Sequence, residues 1–239
     1  MNPWPPYQKP RPLLVVYRKA SPLFHLLQAQ VAAARLPLFP YPLELQDPFQ
    51  ALPCLGLLDF AGLVLEEALP PPEGVRLEAE AERTGRVDLL LPYPGGLLGQ
   101  HTEALALERF LSRNYPGARA LWLGPLRPHL APALRPLGQV SVAAESFAEG
   151  DAFLARLPKG VRGHVALRRE EVQALALKSD LLIHAGGRLS LELLQPFHHL
   201  LALTPEDPRL GERVERLHGP EELLDLRVRA VLEGLGYAF

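Results

Sequence analysis

Apolar positions along the chain fall into two rhythms, alternating short runs and three-to-four spaced stripes, and these predict the elements. Arg11–Tyr17, RPLLVVY, is a compact apolar run with β-branched residues and reads as a strand. Ser21-Pro22 then opens a helix through Arg35, with Ser21 as N-cap and Pro22 in the first helical position. Leu23, Leu26, Leu27, Val31 and Ala34 form its apolar stripe. A second extended segment covers Leu38–Leu45, where Pro40 and Pro42 confine it to a sheet edge. A third covers Phe60–Leu65. Gly85–Leu91 and Leu97–Gln100 flank Pro92-Tyr93-Pro94-Gly95-Gly96 and read as a hairpin, after which Thr102 caps a helix to about Arg113.

The second half alternates strand with helix. Arg119–Leu123 reads as a strand, Pro128–Leu137 as a helix, Gln139–Ala144 as a strand and Phe147–Leu157 as a helix. Further strands fall at Gly163–Leu167, Asp180–His184 and His199–Thr204, with helical stretches between them, and a last helix runs from Pro220 to Leu235 before Gly236. Such alternation implies a parallel, doubly wound sheet with ligand sites at the carboxyl ends of its strands. No internal repeat or low-complexity tract stands out. The domain boundary is expected on the helix Thr102–Arg113.

Composition narrows the class. The 239 residues, 48% hydrophobic, suffice for a buried core. With 25 Lys+Arg against 27 Asp+Glu, no whole-chain basic field attracts nucleic acid or anionic lipid. Cys54 is the only cysteine, which excludes an internal disulfide framework and any multi-cysteine metal site. No long apolar run suggests a membrane span, and Met1–Lys9 lacks the charged and apolar regions of a secretion signal, so a cytoplasmic protein is expected. Arginine far exceeds lysine, which suggests a thermophilic or GC-rich source.

Several segments, in order, resemble the shikimate dehydrogenase family. The family's Ser-x-Ser-Pro-x-x-His-Asn stretch is matched by Lys19 to Leu26, keeping Ser21, Pro22 and His25 and replacing the first Ser with Lys19. Its two Gly-Asn-Thr segments are similar to Gly85-Arg86-Val87-Asp88-Leu89 and Gly99-Gln100-His101-Thr102-Glu103. LWLG at Leu121–Gly124 and LLIHAGG at Leu181–Gly187 continue the likeness. The resemblance implies that Lys19, Ser21, Asp88 and Thr102 bind substrate, that Glu103 stands for the catalytic aspartate, and that Gly124, Glu145 and Gly186 line the cofactor site. It also implies NADP or NAD as cofactor.

Key chemistry departs from that pattern. The family's catalytic lysine falls on Pro70, and the chain holds only Lys9, Lys19, Lys159 and Lys178. Proline cannot carry a proton. In the glycine loop Gly124-Pro125-Leu126-Arg127-Pro128-His129 only the first glycine remains, and each proline removes an N–H donor. Glu145 stands where the family's arginine pairs with the 2′-phosphate of NADP, which repels that phosphate and leaves an NAD ribose as its alternative partner.

Each candidate also has a structural reading. Ser21 is equally a helix cap, Lys19 a solvated charge, and Gly186-Gly187 a turn after a strand. His25 is expected on or near the buried helix face, and His198-His199 at a strand entrance with no third ligand for a metal. Glu66 and Glu67 are either solvated strand-end residues or, with Asp88 and Glu103, members of one acidic cleft. Convergence of three would raise at least one pKa or recruit Arg18, Lys19, a metal cation or a basic ligand.

The expected architecture is α/β: an amino-terminal α/β substrate-binding-type domain over residues 1–104 plus a Rossmann-like doubly wound parallel sheet over 105–218, with the 219–239 helix a candidate to pack back on the first domain. The expected function is a shikimate dehydrogenase-like protein, a pseudoenzyme without hydride transfer, that at most binds a small molecule, a carboxylate among the candidates, in the interdomain cleft. The alternative is an active NAD(P)-dependent oxidoreductase with Glu103 as base and Lys19 as cation. Oligomeric state is open.

Overall fold

A computed structural model of the chain describes residues 9–57 and 59–238. Residues 1–8, most of the segment expected not to be a leader, lie outside them. The chain divides into two compact units, 1–105 with 227–239, and 106–226.

The first unit contains β1 (Arg11–Tyr17), α1 (Pro22–Ala33), β2 (Leu38–Glu44), α2 (Leu52–Leu57), β3 (Gly62–Leu69), β4 (Val75–Leu77), α3 (Ala79–Thr84), β5 (Val87–Tyr93), β6 (Gly96–Gln100) and the start of α4 (Thr102–Asn114). Its sheet has the order β2-β1-β3-β5-β6-β4. β2 lies at the edge, where Pro40 and Pro42 cost no central ladder bond. β1 runs parallel to β2 and β3, whereas β5 is antiparallel to β3 and β6. β3 extends four residues beyond the expected Leu65, so Glu66 and Glu67 belong to the strand. Leu14, Val16, Leu63, Leu65, Val87 and Leu90 make one side of the core.

On α1 the Ser21 hydroxyl accepts the Phe24 N–H at 2.9 Å, and Leu23, Leu27 and Val31 are buried. His25 is exposed, contrary to its expected place near the buried face. The reason is angular: residue 25 lies two positions from both Leu23 and Leu27, and residues two apart on a helix do not share a face.

The second unit comprises the rest of α4, then β7 (Arg119–Leu123), β8 (Gln139–Ala143), α5 (Phe147–Leu154), β9 (Arg162–Ala166), α6 (Arg169–Ala176), β10 (Leu181–His184), β11 (His199–Ala202), β12 (Arg216–His218) and the start of α7 (Pro220–Gly234). The sheet order is β12-β11-β10-β7-β8-β9, with every pairing parallel. Reading from β7, this is the Rossmann order in which the chain steps outward on one side, then returns to start the other. The switch point lies between β7 and β10.

One expected helix is missing. Between β7 and β8 the segment expected to be helical over Pro128–Leu137 forms turns and a single 3-10 turn, Ala131–Leu134. Pro132 and Pro136 lack the N–H that an α-helix interior requires, and each ring collides with the preceding turn.

The first unit is built around a buried ion pair. Arg227, on α7, is 7% exposed and Asp88, on β5, is fully buried at 0%. Arg227 Nη2 lies 3.1 Å from Asp88 Oδ2 and also donates to the Leu65 carbonyl at 2.7 Å. Its Nη1 donates to the Glu66 carbonyl at 2.9 Å, and Nε to the Thr102 hydroxyl at 3.4 Å. Asp88 meanwhile accepts the Thr102 N–H at 2.6 Å and the Glu103 N–H at 2.8 Å. These are two of the amides a helix leaves unpaired at its start. Thus Asp88, not Thr102, caps α4, and Arg227 neutralises Asp88.

Truncating one partner of a buried pair leaves the other charge without compensation, at a cost of about 3–5 kcal/mol. Arg227→Ala is expected to lower the stability of the full chain by that amount in urea-induced unfolding. Arg227→Lys should recover only part of it, since an ammonium cannot reproduce the planar fork of donors.

Candidate functional site

Two cavities, one in each unit, gather some of the candidate residues. The first, about 410 Å³, opens at the carboxyl ends of the parallel neighbours β1 and β3. Its apolar walls include Val16, Pro48, Leu65 and Leu69, and its charged rim is Arg18, Lys19, Glu66 and Glu67.

Ser21 stands beside this cavity and is doubly engaged. While its oxygen accepts the Phe24 N–H, its hydroxyl donates to Glu66 Oε2 at 2.5 Å. Burial pushes the Glu66 carboxyl above its ordinary range, against the pull of the Ser21 hydroxyl, Arg227 and the Leu23 N–H in the opposite direction. The chain's own carboxylate therefore occupies the anion position at the start of α1.

The four carboxylates divide. Glu66 and Glu67 share the cavity rim. Asp88 is buried with both oxygens committed to α4 and Arg227, and Thr102 is fully buried with its hydroxyl on Arg227. Neither lines the cavity, because each is spent on holding β5, α4 and α7 together. Glu103 lies in the first turn of α4, with Oε2 3.9 Å from His101 Nε2, and it too is absent from the lining. The cation recruited by buried acid is Arg227, not Arg18 or Lys19. The sequence holds one signal for it: Arg227 falls four residues after Leu223 and four before Val231, on the apolar stripe of α7.

The second cavity, about 670 Å³, lies at the carboxyl ends of β7, β8, β9 and β10. Gly124, Glu145 and Gly186 line it, together with Pro125, Glu149 and Arg169. Gly124 has φ +85°, and a Cβ there would sit 2.3 Å from the Gly186 carbonyl oxygen. Gly186 itself has φ +116°. The loops after β7 and β10 thus touch backbone to backbone, which explains both glycines. Trp122 donates its indole N–H to the Pro125 carbonyl at 3.1 Å, and Arg127 donates to the Ala185 carbonyl at 3.0 Å, fixing the first loop against the second.

The adjacent histidines have separate partners. His198 Nδ1 accepts the Gln195 N–H at 3.0 Å and its Nε2 lies 2.8 Å from the Ala176 carbonyl, with burial holding its pKa below the ordinary value. His199 Nδ1 lies 2.9 Å from the Tyr115 hydroxyl, which also meets His218 Nε2 at 2.5 Å. His218 Nδ1 in turn contacts the Glu222 carboxylate at 2.9 Å. Of this tyrosine–histidine network only the i,i+4 spacing of His218 and Glu222 is local; Tyr115, after α4, and His199, on β11, meet them from distant parts of the chain. Burial raises the Tyr115 pKa to about 12, so the hydroxyl stays protonated. Among the described residues no group of three or more ligand-type side chains is placed to hold a metal, and no helix is long and apolar enough to cross a membrane.

No family profile and no curated protein sequence matches the chain. Solved structures do. A shikimate 5-dehydrogenase from Listeria monocytogenes, determined with shikimate and NAD, superposes with a TM-score of 0.76 at 14% identity, covering 96% of this chain and 92% of that one. The chain has a shikimate dehydrogenase fold. A quinate dehydrogenase from Corynebacterium glutamicum in complex with NAD matches with a TM-score of 0.74 at 14% identity, over 95% of this chain and 94% of that one. A 5-ketofructose reductase of a Gluconobacter strain matches with 0.76 at 13%, over 98% and 95%.

The Rossmann-type half of a shikimate dehydrogenase fold seats a dinucleotide diphosphate on free amides and a helix N-terminus after its first strand. The residues after β7 do not fit that group. Pro125 and Pro128 offer no N–H, a four-residue 3-10 turn replaces the helix, and the retained Gly124 is already required by Gly186. Glu145, exposed at the end of β8, adds negative charge.

Two variants check these geometries. Gly124→Ala forces a Cβ onto the Gly186 carbonyl at a left-handed φ and is expected to cost more than about 1 kcal/mol in denaturant unfolding. For Glu66, a carboxyl raised in the folded chain binds its proton more tightly than in the unfolded one, so stability is lost as pH rises through the raised value. Glu66→Gln is expected to melt at a higher temperature than wild type near about pH 7, the difference closing on acidification below the ordinary carboxylate range. A lower melting temperature at neutral pH would contradict the burial argument.

Proposed function

We propose that this chain is a shikimate dehydrogenase-like protein that does not transfer hydride and instead binds a small molecule in the cavity between the ends of β1 and β3. The observation that carries the reading is the loop after β7. A dehydrogenase of this fold must hold a nicotinamide dinucleotide, and the loop after β7 loses two amides to Pro125 and Pro128 and ends in a 3-10 turn in place of the α-helix that would face its diphosphate. Two further observations support it. By the family resemblance the catalytic lysine falls on Pro70, and Ser21 donates to Glu66 rather than standing open to a substrate carboxylate. Hydride transfer from a hydroxyl needs a group within hydrogen-bond reach of its proton.

On this reading Arg18 and Lys19 are the cations lining the first cavity, while Glu103 lies in the first turn of α4. The protein is placed in the cytoplasm, and its arginine-rich composition is assigned to a thermophilic or GC-rich source.

Thermal shift of the full chain with NAD and NADP tests the reading, because a ligand that binds only the folded state raises the melting temperature. No shift is expected with either nucleotide, and no NADPH oxidation with dehydroshikimate. Turnover that disappears in Glu103→Ala would overturn the proposal in favour of an active oxidoreductase with Glu103 as base and Lys19 as cation.

A further inference from the structure

The charge arrangement of the first cavity defines a ligand class, an inference that rests on the small-molecule reading above. A hydroxy acid entering at the ends of β1 and β3 meets two carboxylates, Glu66 and Glu67, on one strand. The hydroxyl that the family resemblance assigns to the substrate acid, Ser21 Oγ, already donates to Glu66 and accepts from Phe24. Just past the end of the neighbouring β1, Arg18 and Lys19 line the same cavity. The rim therefore carries two positive and two negative side chains over a floor of Val16, Leu65, Leu69 and Pro48.

We propose that this cavity takes a small zwitterion of the amino-acid class, with its ammonium against Glu66, its carboxylate against Arg18 and Lys19, and its apolar part on Val16, Leu65 and Leu69. Three features select it. First, Glu66 is a partly buried carboxylate held by the Ser21 hydroxyl and the Leu23 N–H, and an ammonium adds a direct charged partner to the attraction of Arg227. Second, an acid without an amine faces the repulsion of Glu66 and Glu67, and an amine without an acid faces that of Arg18 and Lys19. A zwitterion satisfies both ends with no net charge brought into the site. Third, 410 Å³ accommodates a single small metabolite and falls within the usual range of ligand pockets.

The test is a thermal-shift screen of the full chain against the standard L-amino acids, one at a time in large excess, with shikimate and quinate alongside. The amino acid giving the largest shift is then compared by calorimetry with its deaminated acid and its decarboxylated amine. At least one amino acid is expected to bind, with each single-charge analogue weaker by about ten-fold or more, as charge-assisted hydrogen bonds are lost. Glu66→Gln and Lys19→Met are each expected to weaken the amino acid by a similar factor. Glu66→Gln should selectively spare the deaminated acid, and Lys19→Met the amine. Circular dichroism of both variants confirms that they fold.

Absence of a shift with every amino acid, equal binding of the deaminated acid, or unchanged affinity in Glu66→Gln would overturn the zwitterion proposal. NADPH oxidation measured on the same preparation separates the two readings. Turnover overturns the loss of hydride transfer, whereas an inert protein that binds no amino acid overturns only the ligand class.

Discussion

The first unit depends on the guanidinium of Arg227. It is inserted from a helix near the end of the chain into the carboxyl-end region of β3, where it meets the Leu65 and Glu66 carbonyls, the Thr102 hydroxyl and the Asp88 carboxylate. Without it Asp88 would be a buried anion held by two amides, and the Leu65 and Glu66 carbonyls would lose the donors it supplies. With it, one residue fixes the strand that carries Glu66, the strand that carries Asp88 and the start of α4. A buried ion pair of this kind is weak evidence for extra stability, since packing apolar groups in its place is often neutral. What it does supply is position. The hydrogen bonds are directional and come from three elements that share no local sequence.

Position has chemical consequences at the cavity above it. β3 continues past Leu65, so Glu66 reaches the start of α1, and Ser21 is drawn into a hydrogen bond with the chain's own carboxylate. The anion site that a Ser-Pro helix start offers is thereby filled from within. The same theme recurs in the second unit, where Gly124 is consumed by contact with Gly186 and the Pro125 carbonyl by the Trp122 indole. In both places groups at the strand ends are bonded to, or packed against, the chain itself.

Much of this architecture can be read from the sequence because its signals are local. The prolines of LFPYPLE place β2 at an edge, the Ser-Pro start places α1, and the evenly spaced apolar runs of the second half give the parallel sheet. The Pro128–Leu137 segment misleads because its apolar spacing is helical while Pro132 and Pro136 forbid the hydrogen bonds. The glycines and Glu145 fall around one cavity because strand ends in such a sheet converge on one edge. Asp88 and Thr102 do not reach the other cavity. Their use is decided by Arg227, 125 residues along the chain from Thr102, and no local pattern encodes that meeting. The meeting of Tyr115 with His199 and His218 is hidden for the same reason.

The chemistry of the first cavity rests on Glu66 being a partly buried carboxylate bound to Ser21, and its titration is the direct measurement. In the full chain labelled at glutamate carboxyl carbons, with Glu66→Gln to assign the signal, the Glu66 resonance is expected to titrate above the ordinary value of 4.5 and to move higher still in Ser21→Ala, where the bond favouring the charged form is lost. A Glu66 that titrates like a solvated glutamate and ignores the loss of Ser21 would contradict it.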